Sequence, residues 1–294
     1  MKPPIFLLSP ARSYSTVSIA LLSGHPDIFG FPELLMFTGD TLDEVLARKR
    51  SESDRSEEIR VNGIFRAIAQ INEGSQGRDE IARAQVWLKE RRHWSPASVM
   101  KYLFDRVDPQ IPLEKSPATS SKEGLARCLE SFPDARFIHL TRHPVTTQRS
   151  MREHWRFEHK GRSVEFRSAS CASAWYISHL RILGTLSLLP KDRWIRVRAE
   201  DLIQNPHRFA PSIFEWLGLD SSEETIQGIT ETERWVFASN GESANLYGGD
   251  PKFLLNPQLR PVADPGPIVF PPEWNLRGEM CDKMTELAHE LGYR

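Results

Sequence analysis

Cysteine, charge of one sign and long apolar runs are all scarce in this chain. It has three cysteines in 294 residues. Cys128, Cys171 and Cys281 are far apart, odd in number and without metal-ligand spacing, which excludes a disulfide framework and a zinc site. They read as reduced structural thiols. No run approaches the ~18 apolar residues of a membrane span. The apolar stretch that begins near Met1 is too short for the core of a secretory signal, so a cytoplasmic protein with no membrane span is expected. Formal net charge is −1, which leaves no basic face for nucleic acid. An anion site in this chain must be a local arrangement. What is present, 39% apolar and 26% charged residues, is globular composition with enough chain for one large core.

Neither repeats nor low-complexity segments occur, and the pattern along the chain is a βαβ rhythm. "PIFLL" reads as a buried parallel strand, and "YSTVSIALLSG" as a helix closed by Gly24. "HPDIFGFPELLMF", broken by proline and glycine, reads as a loop leading into a short extended piece. Helical spacing follows in "TLDEVLARKR", "SEEIRVNGIFRAIAQINEG" and "RDEIARAQVWLKERRHW", the last through Ile81, Val86 and Leu88. "SPASVMKYLFDRV" adds a helix with a Ser95 cap and Pro96 at its first position. Residues 41–107 therefore read as a helical insertion that could cover a site. Strand signals return in "IPLEKSP", "ARFIHLT" and "RWIRVRAEDLIQNP", with helical segments between them and a stop at Pro133. Strands alternating with helices imply an α/β fold with a central, mostly parallel sheet. The proline-rich "NPQLRPVADPGPIVFPPEW" reads as a surface loop or lid.

The chemistry concentrates in "SPARSYST", residues 9–16, between the first strand and the first helix. Ligands of parallel α/β sheets sit beyond the strand carboxyl ends, where helix N-termini offer free N–H groups. Two uses of this turn are open. Arg12, the hydroxyls of Ser13, Ser15 and Thr16 and the local amides could cradle an anion, or Ser9 or Ser13 could simply cap the helix. The phosphate-binding loop GxxxxGK[ST] is not matched.

Arg12, Ser13, Ser15 and Thr16 resemble the 5′-phosphosulfate loop of sulfotransferases that use 3′-phosphoadenylyl sulfate (PAPS), in which Arg or Lys, Ser, Gly, Ser or Thr, and Thr follow one another. Tyr14 is the departure, standing where the family usually has Gly. Its φ is expected to stay negative, with the phenol pointing outward toward an acceptor pocket. "FIHLTRHPVTTQRSM" resembles the family's 3′-phosphate segment, and Arg142 and Ser150 match it in type and spacing. A guanidinium and a hydroxyl suit a phosphomonoester. "RAEDL" resembles the strand and turn near the adenine, with Ala199 where many members carry Tyr before Glu200 and Asp201. "GGDPKF" resembles a late loop that closes on the adenosine end, and implies a phosphate contact from Lys252. These stretches, with "GHPDIFGFPELLMF", "NGIFRAIAQI" and "EKSP", look closer to bacterial sulfotransferases, including domains embedded in polyketide synthases, than to the steroid and phenol enzymes.

The resemblance implies a single P-loop-like three-layer domain over residues 1–294. It implies in-line transfer of a sulfuryl group from PAPS to an acceptor hydroxyl, with 3′,5′-adenosine diphosphate as product and no metal. The acceptor would be a small natural product, a lipid or a carrier-tethered acyl chain. Arg12 is then the electrostatic group at the bridging oxygen, assisted by Lys115. Glu33 in "FPELL" matches the place where some branches carry a base, and His25 is the second candidate. His139 reads as a buried, hydrogen-bonded strand residue, and His143 as a possible phosphate contact. "HWRFEHKG" reads as a solvated helix end rather than a metal site. Trp87, Trp94, Phe65 and Tyr102 could line an acceptor pocket or simply pack. Two other readings stay open at this point: a nucleotide kinase-like enzyme, and a non-catalytic nucleotide-binding protein on the same fold.

Overall fold

The computed structural model describes residues 2–47, 62–154, 162–238 and 248–294. Five strands, β1 (Ile5–Leu8), β2 (Ile28–Gly30), β3 (Ile111–Glu114), β4 (Arg136–Thr141) and β5 (Trp194–Arg198), form one sheet in the order β2-β3-β1-β4-β5. Every pairing is parallel, with Ile5 opposite Leu113 on one side and Arg136 on the other. A parallel sheet must be covered on both faces, and all four β1 residues are buried. Alternation along the strand sends Phe6 and Leu8 into a core with Phe37, Phe104 and Phe132. Ile5 and Leu7 face the opposite core, with Ile19, Leu22 and Phe214.

The helices are α1 (Ser15–Ser23), α2 (Leu42–Ala47), α3 (Asn62–Glu73), α4 (Arg78–Glu90) and α5 (Pro96–Asp105) before β3. α6 (Lys122–Ser131) precedes β4, and α7 (Pro144–His154) and α8 (Val164–Leu186) precede β5. After the sheet come α9 (Ala199–Gln204), α10 (Pro206–Leu217), α11 (Glu223–Gly228), α12 (Pro251–Leu255) and α13 (Gly278–Glu290). Among the described residues no helix is long and apolar enough to cross a membrane.

Ser95 caps α5 by accepting from Ser98 N, with Pro96 at the first position. One local expectation holds and one is corrected. Gly24 closes α1, with a φ of −68°. Glycine is needed there because a Cβ would lie 2.6 Å from the Ile229 backbone. In α4 the buried stripe is Ile81, Ala84 and Leu88, while Val86 is exposed, because its spacing from Ile81 falls off a 3.6-residue face.

The connection from β1 leads toward β2 and that from β4 toward β5, so adjacent strands send the chain in opposite directions. That reversal opens a crevice at their carboxyl ends, the usual ligand position in such sheets.

Candidate active site

Between β1 and α1 the backbone is left-handed at Arg12 (φ 64°) and at Tyr14 (φ 60°). Each costs a non-glycine residue on the order of 1–2 kcal/mol. The negative φ expected at Tyr14 is thus corrected, and the reason lies in the turn. Left-handed residues alternating with an ordinary one bring successive N–H groups to one side, a concavity suited to an anion. Tyr14 is also the residue that precedes α1, and its side chain caps nothing. The first helical bond runs from Ser18 N to Tyr14 O, 3.0 Å, so the N–H groups of Ser15, Thr16 and Val17 have no partner within the helix. Neither serine does the capping, since Ser9 Oγ and Ser13 Oγ are buried without a hydrogen-bond partner. Of the two uses open to this turn, the capped helix is not the one built.

The end of β4 brings Arg142 across the crevice onto this loop. Its Nη1 donates to Arg12 O (2.6 Å), Nη2 to Tyr14 Oη (3.1 Å) and Nε to Thr146 Oγ1 (3.2 Å). The guanidinium carbon lies 3.7 Å from the Tyr14 ring centroid. The phenol therefore packs on Arg142 and does not point outward as the sequence suggested. Trp175 Nε1 from α8 donates to Arg142 O (3.1 Å) and fixes the strand end. Next to it, His143 N donates to Glu200 Oε1 (2.8 Å), and Tyr293 Oη donates to Glu200 Oε2 (3.0 Å). Glu200, expected near an adenine, thus holds the start of α7. The His143 ring is buried with neither nitrogen bonded. Burial, with Arg198 and Arg142 nearby, pushes its pKa down to about 4, so it stands neutral. Arg12 completes this end, with Nε donating to Ser150 Oγ (3.2 Å) and Nη2 to Asp250 Oδ2 (2.8 Å).

Lys115, one residue past β3, organises the other end. Its side chain is only 1% exposed, and Nζ donates to Thr16 Oγ1 (2.9 Å) and to Glu33 Oε1 (2.7 Å). Thr16 Oγ1 also accepts from Asp250 N (2.9 Å). With both lone pairs engaged, its own O–H is left to donate. Glu33 is held by backbone: its N–H donates to Gly248 O (2.8 Å). A Cβ at Gly63 of α3 would lie 2.0 Å from Glu33 O, and one at Gly248 (φ 68°) would lie 2.6 Å from Gly63 Cα. Glycine at both positions lets three segments meet there.

Glu114 lies behind this pair, accepting from Leu34 N (3.2 Å), Ser116 N (3.1 Å) and the Ser116 hydroxyl. Ser116 Oγ in turn accepts from Leu35 N (3.0 Å). Burial raises the Glu114 pKa to about 7, against the opposing pull of these hydrogen bonds.

Beside Lys115 and Thr16 lies a small apolar cavity of about 20 Å³, lined by Phe31, Trp235, Phe237, Phe253 and Leu254. Arg66 of α3 holds its wall by donating to Phe237 O (3.3 Å). Of the aromatics weighed for this purpose, Trp87, Trp94 and Tyr102 instead pack on one another, with ring centroids 4.7 to 6.0 Å apart. Phe65 packs against the core.

The structure thus brings together Arg12, Ser13, Tyr14, Ser15, Thr16, Glu33, Lys115, Arg142 and Ser150. It does not bring His25 there: the ring lies at the far end of α1, bonded to Asp220 O (2.9 Å) and Asp27 N (3.0 Å) and packed on Phe214. Lys252 Nζ donates to Glu153 Oε1 (2.9 Å) and is 72% exposed. In the same loop it is Asp250 that reaches the cradle. His139 is buried and bonded to His179 (2.9 Å), and burial holds both rings neutral. Most of "HWRFEHKG" lies outside the described residues. Among the described residues no cluster of His, Cys, Asp or Glu could hold a metal ion. Asp250, Glu114, Trp175 and Phe237 were not singled out in the sequence. Asp250 carried a usable signal, an Asp before a proline-started helix.

A model of the sulfotransferase family matches residues 3–223. Among solved structures, the sulfotransferase domain from the curacin biosynthetic pathway superposes with a TM-score of 0.76 at 22% identity, over 100% of this chain and 99% of that one. The sulfotransferase domain of the Synechococcus PCC 7002 olefin synthase gives 0.69 at 23%, over 96% and 94%. A Mycobacterium avium sulfotransferase gives 0.50 at 18%, over 85% and 74%. At such identities the likeness is one of fold. None of the curated proteins compared matches the chain. With the family match covering about three quarters of its length, from β1 through α10, this chain belongs to the sulfotransferase family.

Proposed function

We propose that this protein transfers a sulfuryl group from PAPS to the hydroxyl of an organic acceptor: a small natural product, a lipid or a carrier-tethered acyl chain. The observation that carries the reading is the uncapped first turn of α1 beside two guanidinium groups. The residues present fit such a donor. Ser13 Oγ is buried with no partner, the Thr16 O–H is free to donate, and a carboxylate, Asp250, already lies against Arg12 as an anion would.

Bound PAPS would supply the sulfuryl group and its leaving phosphate. Ser13, Ser15, Thr16 and the local N–H groups hold the 5′ end, and Arg142, Ser150 and Arg12 hold the 3′-phosphate. Lys115, rather than Arg12, stands with Thr16 and Glu33. It is therefore assigned the charge developing at the transferring end. Glu33 accepts the proton of the acceptor hydroxyl through Oε2, which takes no hydrogen bond from the described residues.

The test is calorimetric binding of 3′,5′-adenosine diphosphate, ATP and 5′-AMP at one salt concentration. Preference for the 3′-phosphorylated ligand is expected. Preference for ATP, or no binding, would overturn the reading.

A further inference from the structure

Position 14 poses a problem that the loop alone does not solve. Its backbone is left-handed (φ 60°, ψ 18°), a conformation glycine adopts without cost and tyrosine does not. Something specific to the side chain must offset that cost. The ring lies 3.7 Å from the guanidinium carbon of Arg142, and the phenol oxygen accepts from Nη2 at 3.1 Å. A cation held against an aromatic face is attracted to it, more so where water is excluded, and Arg142 is 8% exposed.

The contacts of Arg142 are divided in a telling way. Thr146 takes Nε, Arg12 O takes one Nη1 hydrogen and Tyr14 takes one Nη2 hydrogen. A guanidinium has five N–H donors, so one hydrogen on each terminal nitrogen is left for a ligand. The phenol uses a lone pair on Arg142 and keeps its own O–H proton. A phosphate oxygen that accepts from Nη2 would lie beside that O–H.

We infer that Tyr14 is a selectivity residue for the 3′-phosphate, its ring fixing the Arg142 guanidinium and its O–H donating to the same phosphate group. This rests on the assignment of Arg142 to the 3′-phosphate proposed above. It also departs from the sequence-based expectation of a phenol pointing outward to the acceptor pocket, because the ring lies against Arg142 and against the core that contains Ile19 and Leu22.

The test compares affinities for 3′,5′-adenosine diphosphate and 5′-AMP in the unaltered protein, Tyr14→Phe and Tyr14→Gly. Loss of the O–H in Tyr14→Phe should weaken 3′,5′-adenosine diphosphate about tenfold, as for one hydrogen bond to a charged group, with 5′-AMP unchanged. Tyr14→Gly, which also frees Arg142, should lose more of the preference. Binding of 5′-AMP shows in each case that the loop is still formed. Equal changes for both ligands, no change, or tighter 3′,5′-adenosine diphosphate binding by Tyr14→Gly would overturn the inference. So would an altered acceptor KM in Tyr14→Phe with the nucleotide preference intact. If the unaltered protein itself shows no preference, the donor assignment fails and the inference with it. Preference kept by all three proteins defeats the inference alone.

Discussion

The two ends of the crevice are built on opposite electrostatic plans. At the Arg142 end, two guanidinium groups, a serine hydroxyl and bare helix N–H groups meet Asp250, which is 29% exposed, and Glu200, whose oxygens are already taken by His143 N and Tyr293. At the Lys115 end, one buried ammonium is paired with Glu33, and Glu114 behind it takes its hydrogen bonds from Leu34 and Ser116. A surplus of donors costs free energy until an anion arrives, whereas a matched pair is stable alone and needs only to pass a proton. The first arrangement suits binding and the second suits transfer, and substitutions at the two ends should separate accordingly.

The sharpest separation is expected from Glu33→Gln. It should lower turnover by roughly 10²–10⁴ with affinity for 3′,5′-adenosine diphosphate retained, read by parallel kinetics and calorimetry. Equal losses in both would place Glu33 at the binding end. Arg142→Ala should do the reverse, weakening the same nucleotide by about 2–4 kcal/mol. Unchanged affinity would remove Arg142 from the 3′-phosphate.

Glu114 tests whether the transfer end is held by a carboxylate sensitive to pH. Its folded pKa of about 7 lies above the ordinary 4.5. Below pH 4.5 the group is protonated in both folded and unfolded chains and its contribution is fully present. As pH rises to about 7, the unfolded chain gives up the proton first, so stability is lost by up to about 3 kcal/mol. Urea midpoints at about pH 5 and pH 7.5 should therefore converge in Glu114→Gln relative to the unaltered chain, and parallel behaviour would refute the assignment.

The smallest effect belongs to Asp250→Asn. A part-exposed pair is worth up to about 1 kcal/mol, so removing the competing carboxylate from Arg12 should tighten nucleotide binding by a few-fold. Weaker binding would mean that Asp250 positions Arg12 rather than competing for it.

Legibility follows the same division. Arg12 to Thr16 and Arg142 to Ser150 could be read because each group sits on one strand-turn-helix unit, where spacing alone sets the geometry. Lys115 and Glu33 were named separately, but their 2.7 Å contact depends on β3 lying between β1 and β2. Asp250 was missed as a site residue because it reaches Arg12 from 238 positions away. His25 is misplaced although the sequence carries the signal: it follows the C-terminus of α1, and the crevice lies at the helix N-terminus. Tyr14 shows the limit most clearly: the departure from glycine was visible, but the sign of φ and the partner of the ring were not.

What the sequence by itself determined is therefore the layered α/β plan, the phosphate-type turn chemistry and the family resemblance. These rest on apolar periodicity and on residue types at short spacing, which act within a few residues of chain. Tertiary structure alone decided that Tyr14 turns onto Arg142, that Lys115 pairs with Glu33 and that Asp250 lies against Arg12. Those contacts join residues 82 to 238 positions apart, and only the strand order of the sheet and the packing of its connections bring them within hydrogen-bond range.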